Sequence, residues 1–359
     1  MSARIRVLMI TSEWPDRASW GGTAQFVKRQ VEFLRAAGVV VDVFSFRGQK
    51  SLVRYAAAWW AVRRRLARGR YDLVHAQFGQ SAMLTLPKRV PLVVTFRGDD
   101  LEGVMSDTEE RFTRLGKMLP MLSRLGARCA DATIVVSAHL QRCLPRSVRP
   151  HVIPSGIDFD RFRLIPQAEA RRHLGLPLER RLVLFVGSPE LPRKRYRLAR
   201  EAVARLNLTL PAELVLGWAV PHTDIPYYMN ACDVLVFTSL QEGSPNVVKE
   251  ALACNLPVVS VAVGDVAERL RGIAGCEVCD EDRAETIAAA LERVLRRGGR
   301  AAARPAVQEL DERRMTERVL AVYRAVIAPA PLAAQVTLNC GGSVAERGTA
   351  RDAAPDGVA

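Results

Sequence analysis

Eleven short apolar runs, rich in Val, Ile and Leu and separated by stretches of helical periodicity, constrain this chain more than any other feature. They fall at residues 5–11, 39–46, 71–76, 91–96, 132–137 and 150–154, and again at 181–187, 212–217, 233–238, 256–261 and 275–279. Short continuous apolar runs suit strands buried on both faces, and helices between them imply parallel sheets covered on both sides. The alternation breaks once, at IPSGIDFDRFRLIP (153–166), where Gly156 and two prolines mark a linker. The expected fold class is therefore α/β, with two doubly wound Rossmann-like domains in series. A chain of 359 residues suits two such domains. The expected division is 1–160, 161–305, a last amphipathic helix at 306–327, and a tail at 328–359 whose Ala-, Pro-, Gly- and Arg-rich composition reads as disordered. Two such domains place a cleft between them, and ligands of open parallel sheets bind beyond the carboxyl ends of the strands.

The charge is uneven. Residues 1–150 carry 25 Lys and Arg against 12 Asp and Glu, whereas the remainder is almost balanced, in a chain of net charge +14. That asymmetry points to an anionic partner for the first half. Aromatic-interleaved RNA motifs and zinc-finger spacing are absent from it, so nucleic acid is not expected. The chain opens on the strand-like RIRVLMIT rather than on a secretory leader, and no run of 18 apolar residues occurs, so a cytoplasmic protein is expected. Seven scattered cysteines do not form a disulfide framework, and the pair Cys276 and Cys279 lacks the further ligands of a zinc site.

The most informative segment is TSLQEGSPNVVKEALACNLPVVS (238–260), which reads as strand end, loop, helix, turn, strand. Glu242 lies on the loop and Glu250 within the helix. A loop carboxylate can accept hydrogen bonds from sugar hydroxyls, one on the helix can take both hydroxyls of a ribose, and the helix N-terminus can meet phosphate oxygens. Taken alone, such a pair can also be a turn residue and a solvated helix residue. With its neighbours, EGSPNVVKEA followed by PVV and by Gly264-Asp-Val-Ala-Glu resembles the donor-site signature of family 4 glycosyltransferases. The resemblance covers about residues 4–327. It implies the GT-B fold, a first domain that binds the acceptor and a second that binds a nucleoside diphosphate sugar. It also implies retention at the anomeric carbon, a last helix crossing back to the first domain, and no metal or other cofactor. Glu242 would then contact the transferred sugar and Glu250 the ribose, with Gly243, Ser244, Pro245 and Asn246 forming the loop around sugar and phosphates.

Five further segments fit the resemblance. In FVGSPELPRKRYRLAREA (185–202), Lys194 matches the lysine that faces the donor diphosphate, while Ser188 stands where the family has arginine. Arg193 or Arg195 can supply the missing charge, which a departing diphosphate requires. Gly21 and Gly22 in WGGTAQFV match the glycine loop that lets a diphosphate approach the backbone. VVTFRGDDLEG (93–103) has Arg97 where the family has histidine. Arginine cannot take up a proton but can hold phosphate or an acidic acceptor, and Asp99 is the nearest carboxylate able to orient an acceptor hydroxyl. His75, in DLVHAQFG, is either structural or a weak acceptor-site candidate. IPSGIDFDRF resembles the family's hinge segment.

The expected function is sugar transfer to an acceptor hydroxyl in cell-surface polysaccharide or glycolipid synthesis. The alternatives are a sugar-nucleotide epimerase of the same fold and a non-catalytic nucleotide-sugar-binding protein. Residues 52–70 read as an amphipathic helix with Leu52, Tyr55, Trp59, Val62 and Leu66 near one stripe and arginines away from it. This suggests either packing on the sheet or peripheral attachment to an anionic membrane surface.

Overall fold

The structure, a computed structural model, describes residues 4–15, 25–47, 51–106 and 108–328. Each expected strand is present. The first sheet contains β1 (Arg6–Thr11), β2 (Val40–Ser45), β3 (Leu73–Gln77), β4 (Leu92–Phe96), β5 (Ala132–Val135) and β6 (His151–Val152) in the order β2-β1-β3-β4-β5-β6. The second contains β7 (Leu182–Val186), β8 (Glu213–Gly217), β9 (Val234–Phe237), β10 (Val258–Val261) and β11 (Glu277–Cys279) in the order β11-β10-β9-β7-β8. Every strand pairing is parallel. β3 and β4 are buried along their whole length, as continuous apolar strands between two helical layers must be.

Successive side chains point to opposite faces of a sheet, so each strand feeds two cores. On the first sheet, Leu8, Ile10, Val74 and Val94 face one helical layer that includes Ala58 and Val62. Val7, Met9, Leu73 and Val93 face the other, with Val31 and Leu34 of the helix Gln25–Ala36. That second layer also contains Met315, Val319, Leu320, Val322 and Tyr323 of the last helix, Glu312–Ile327. The chain thus returns from the second domain to close the core of the first. The return strand of chain lies beside the outgoing linker: Ile157 N–H donates to Leu310 O at 2.7 Å, and Glu312 N–H to Ile157 O at 2.9 Å.

The stripe expected on residues 52–70 packs inward. Tyr55, Ala58, Val62 and Leu66 meet the first sheet, and the Trp59 indole N–H donates to Leu86 O at 2.7 Å. A helix buries the stripe that best fills the groove beneath it; Trp59 stays 37% exposed at the edge of this stripe, and the side chain of Leu52 lies outside the described residues. Cys276 and Cys279 carry free thiols that burial pushes up in pKa. Among the described residues, no helix is long and apolar enough to cross a membrane. Residues 329–359, including nearly all of the expected tail, lie outside the described residues.

Candidate active site

In the second sheet the chain runs from β7 outward to β8 and then back across to β9, so the topological switch lies between β7 and β9. The loops after these two strands carry Lys194 and Glu242. They meet in a cavity of about 300 Å³ lined by Gly187, Ser188, Arg193, Lys194, Glu242, Pro245, Asn246 and Glu250, with Glu13, Phe26 and Arg29 from the first domain. The Lys194 ammonium makes a short contact with Glu242 Oε1, and Arg193 Nη1 lies 3.4 Å from the same oxygen. Burial pushes the Glu242 carboxyl up in pKa, but Lys194 and Arg193 outweigh it and hold the group below the ordinary carboxylate range. Pro245 precedes the helix Asn246–Ala253, and no side chain caps that helix, so its first N–H groups open on the cavity. Two cations beside a helix N-terminus make an anion-binding arrangement.

The structure separates the two basic candidates flanking Lys194. Arg193 lines the cavity, whereas Arg195 turns away. Its Nε donates to Thr238 O at 2.6 Å and its Nη1 pairs with Asp282 at 2.9 Å. Its backbone is left-handed, at φ 50°, which redirects the side chain. Ser188 lines the cavity, and its hydroxyl accepts the Glu190 N–H.

The loop Gly243–Asn246 is only partly turned to the cavity. Ser244 donates its hydroxyl to Asp265 at 2.7 Å, so it braces the loop from behind. Gly243 packs on the first domain: a Cβ there would fall 1.9 Å from Arg97 O, and one on Gly98 would fall 2.8 Å from Gly243 N. Only paired glycines permit so close a crossing of two backbones. Ser137 adds a hydrogen bond to Gly243 O, and Gln241 one to Gly103 O, both at 2.9 Å. Gly21 and Gly22 lie outside the described residues.

Arg97 does not line the cavity. Its guanidinium stacks 4.3 Å from the Phe26 ring centroid and donates to Gln77 Oε1, Gln30 Oε1 and Ser155 Oγ. Burial pushes its pKa down to about 10. These contacts join the first domain to the linker, so Arg97 stands outside the cavity that holds Lys194 and Glu242, away from the phosphate or acidic acceptor expected for it. Asp100 accepts the backbone N–H groups of Arg97, Gly98 and Gly79 and so shapes the turn. Asp99 lies beside Arg193, Glu242 and Glu13, and burial pushes its pKa up to about 7.

His75 lies inside the first domain, away from the cavity. It is fully buried, with Nδ1 at 2.6 Å from Tyr323 Oη and Nε2 at 2.7 Å from Thr95 Oγ1. Burial and the nearby Arg97 push its pKa down to about 3, so the neutral ring fastens the last helix to the first sheet.

Arg29 has no counterpart in the expectations from sequence. Its Nε donates to Glu312 at 2.9 Å, its Nη2 to Gly156 O at 2.7 Å, and its Nη1 lies 3.5 Å from Glu250. One side chain of the first domain thus touches the linker, the last helix and the donor motif. Lys249, wholly buried, donates to Ser155 O at 3.0 Å. Glu13 was likewise passed over, although its place just after β1 is a position where the switch rule locates ligands.

The profile described as "Glycosyltransferase Family 4" matches residues 20–161, and that described as "Glycosyl transferases group 1" matches residues 179–297. TuaC of Bacillus subtilis, a teichuronic acid biosynthesis glycosyltransferase by its name, is 28% identical over 221 residues, covering 55% of this chain and 54% of the relative. A D-inositol 3-phosphate glycosyltransferase of Mycobacterium tuberculosis is 30% identical over 311 residues, covering 72% and 62% respectively. The chain thus spans little more than half the length of these relatives. Among solved structures, sucrose-phosphate synthase from Thermosynechococcus elongatus superposes with a TM-score of 0.73 at 21% identity, over 90% of this chain and 99% of the other. Anabaena HepE in complex with UDP-glucose gives 0.66 at 18%, over 90% and 100%. With both halves matched in sequence order and the two-sheet architecture shared, the chain belongs to the family 4, group 1 glycosyltransferases and has the GT-B fold.

Proposed function

We propose that the chain transfers a sugar from a nucleoside diphosphate sugar to an acceptor hydroxyl, with retention of anomeric configuration. The observation that carries this reading is the convergence of Lys194, Arg193 and a helix N-terminus on one cavity, with Glu242 and Glu250 on its wall. A diphosphate entering there takes over the two cations, which frees Glu242 to accept hydrogen bonds from the sugar. Glu250 reaches the ribose. As the glycosidic bond breaks, charge grows on the leaving phosphate, where the cations stabilise it without reorganising. Retention follows when the acceptor attacks on the face the diphosphate leaves, with that phosphate taking the proton. The solved complex of HepE with UDP-glucose supports a donor of this class. The teichuronic acid relative supports a role in polysaccharide synthesis.

The test is a panel of nucleoside diphosphate sugars with EDTA present throughout. One donor is expected to raise the melting temperature, by an amount equivalent to about 2.7 kcal/mol at a hundredfold excess over its Kd. Nucleoside diphosphate release is then expected only when an acceptor is added. Chelator-sensitive binding would mean that a metal carries the phosphate charge. Conversion of the donor to its epimer without acceptor would replace transfer by epimerisation.

Asp99 gives a pH signature. We assign its carboxylate to orient the acceptor hydroxyl, which requires the ionised form. Because burial raises its pKa to about 7, that form is lost as pH falls through about 7. Turnover is therefore expected to drop on the acid side of that value, and Asp99→Asn to be slow at every pH. A wild-type profile that stays level from roughly pH 8 to pH 6 would remove Asp99 from this role.

A further inference from the structure

The helix Arg114–Cys129 is built inside out. Its small residues face the protein: Gly116, Pro120, Ser123, Gly126 and Ala127 are buried. Four of its large apolar residues face solvent, with Met118 53%, Met121 61%, Leu122 39% and Leu125 45% exposed. The spacing i, i+3, i+4, i+7 makes them one continuous row. The inversion has a steric cause. The helix Gly79–Met83 lies so close that a Cβ on Gly79 would fall 2.1 Å from Ser123 Oγ, which leaves no space for a large side chain on the inner face. A water-facing row of Met and Leu is costly unless something covers it.

Charge shows what covers it. Residues 111–130 contain five Lys and Arg and no Asp or Glu. Lys117, Arg124 and Arg128 are exposed on the same helix, with Arg124 Nε also donating to Cys143 O. The neighbouring helix Leu52–Arg68 has five arginines and no carboxylate. It shows Trp60 at 60% exposure with Arg64 beside its ring. The segment 86–88 bridges the two helices: Arg63 donates to Pro87 O, and Lys88 to Cys129 O. Both helices cover the same face of the first sheet, where Ala58, Val62 and Ala127 share one core.

We propose that this face of the first domain docks on an anionic lipid bilayer, with Met118, Met121, Leu122 and Leu125 entering the boundary between headgroups and acyl chains. An aliphatic row whose own helix carries cations and no carboxylate has the composition of an interfacial helix, although Glu109 and Glu110 precede it and Asp131, which pairs with Lys88, follows it. A surface for single-stranded nucleic acid sets successive aromatic rings along its cations, whereas the row here is Met and Leu. The segment before this helix reaches the second domain: the short helix Asp99–Glu102 ends at Gly103, whose O accepts a hydrogen bond from Gln241 at 2.9 Å. A lipid-linked acceptor held at the bilayer would thus lie close to the donor.

The test is sedimentation of the full chain with vesicles of phosphatidylcholine alone or mixed with phosphatidylglycerol. It reads binding without turnover, so it stands or falls separately from the proposed reaction. Binding is expected only with phosphatidylglycerol, weakening as salt rises. Met121→Glu with Leu125→Glu is expected to weaken it at least tenfold or so, since two carboxylates enter an anionic, apolar boundary. Both side chains point outward, so the melting temperature should hold. Lys117→Ala with Arg128→Ala, which leaves the apolar row intact, should lower affinity by several-fold and flatten the salt dependence. Wild-type protein left in the supernatant with anionic vesicles at low salt would overturn the proposal. So would unchanged sedimentation of the Met121 and Leu125 variant, or binding to single-stranded RNA in place of vesicles.

Discussion

Replacing Glu242 or Lys194 with alanine is expected to slow sugar transfer by roughly a hundredfold to a thousandfold, equivalent to about 3–4 kcal/mol of barrier. The two side chains form one ion pair at the cavity wall, backed by Arg193. Lys194→Ala removes the cation placed to meet charge on the leaving diphosphate, so the loss should fall on kcat more than on KM. Glu242→Ala removes the acceptor for the sugar's hydroxyls and leaves Lys194 without its orienting partner. Neither loss should unfold the domain, since both groups border the cavity and retain some contact with solvent. Melting within a few degrees of wild type is the control, and near-normal turnover in either purified variant would remove that residue from the site.

Arg29→Ala is expected to cost about 3–5 kcal/mol of stability, read as a shift in urea unfolding. The guanidinium and the carboxylates of Glu312 and Glu250 are all buried. Burial alone lowers the arginine's pKa, but the two carboxylates outweigh it and raise it above the ordinary value. Removing the cation leaves Glu312 buried without its partner, and burial already pushes that carboxyl up in pKa. Linkage fixes the direction of the pH effect. In the variant, the buried Glu312 carboxyl should take up a proton more readily than in the unfolded chain, so the variant should recover stability as pH falls. Arg29→Lys should lie between the two, because an ammonium keeps the charge but not the fork that reaches Gly156 O and Glu312 together. An Arg29→Ala protein that unfolds with wild type would show that the node contributes nothing.

The elements were legible because strand signals are local. A run such as LVLFV or VLVF states its own burial, and the order of runs and helices states a parallel sheet. Arg29 was not legible for the opposite reason. Its partners lie 221 and 283 residues away, and the apolar stripe Val27, Val31 and Leu34 accounts for its helix without it. His75 stayed open between two readings because a histidine at the end of a strand looks the same in sequence whether it faces a ligand or a tyrosine of the last helix.

By itself the sequence determined the two α/β sheets, the turn at Gly156 between them and the segment after β9 that reaches the cavity. Each follows from hydrophobic period, turn residues and a motif contained within a few dozen positions. Only the tertiary structure decided which side chains face the cavity. Arg193 and Arg195 are two residues apart and chemically identical, yet one left-handed backbone angle turns Arg195 to Asp282 and leaves Arg193 beside Glu242. The helix Arg114–Cys129 shows the same limit on a larger scale. Its Met118, Met121, Leu122 and Leu125 share one row, and the close approach of Gly79 to Ser123 keeps that row on the outside. Direction is a property of neighbours brought together by the fold, and a neighbour distant in sequence leaves no periodic trace in the segment it displaces.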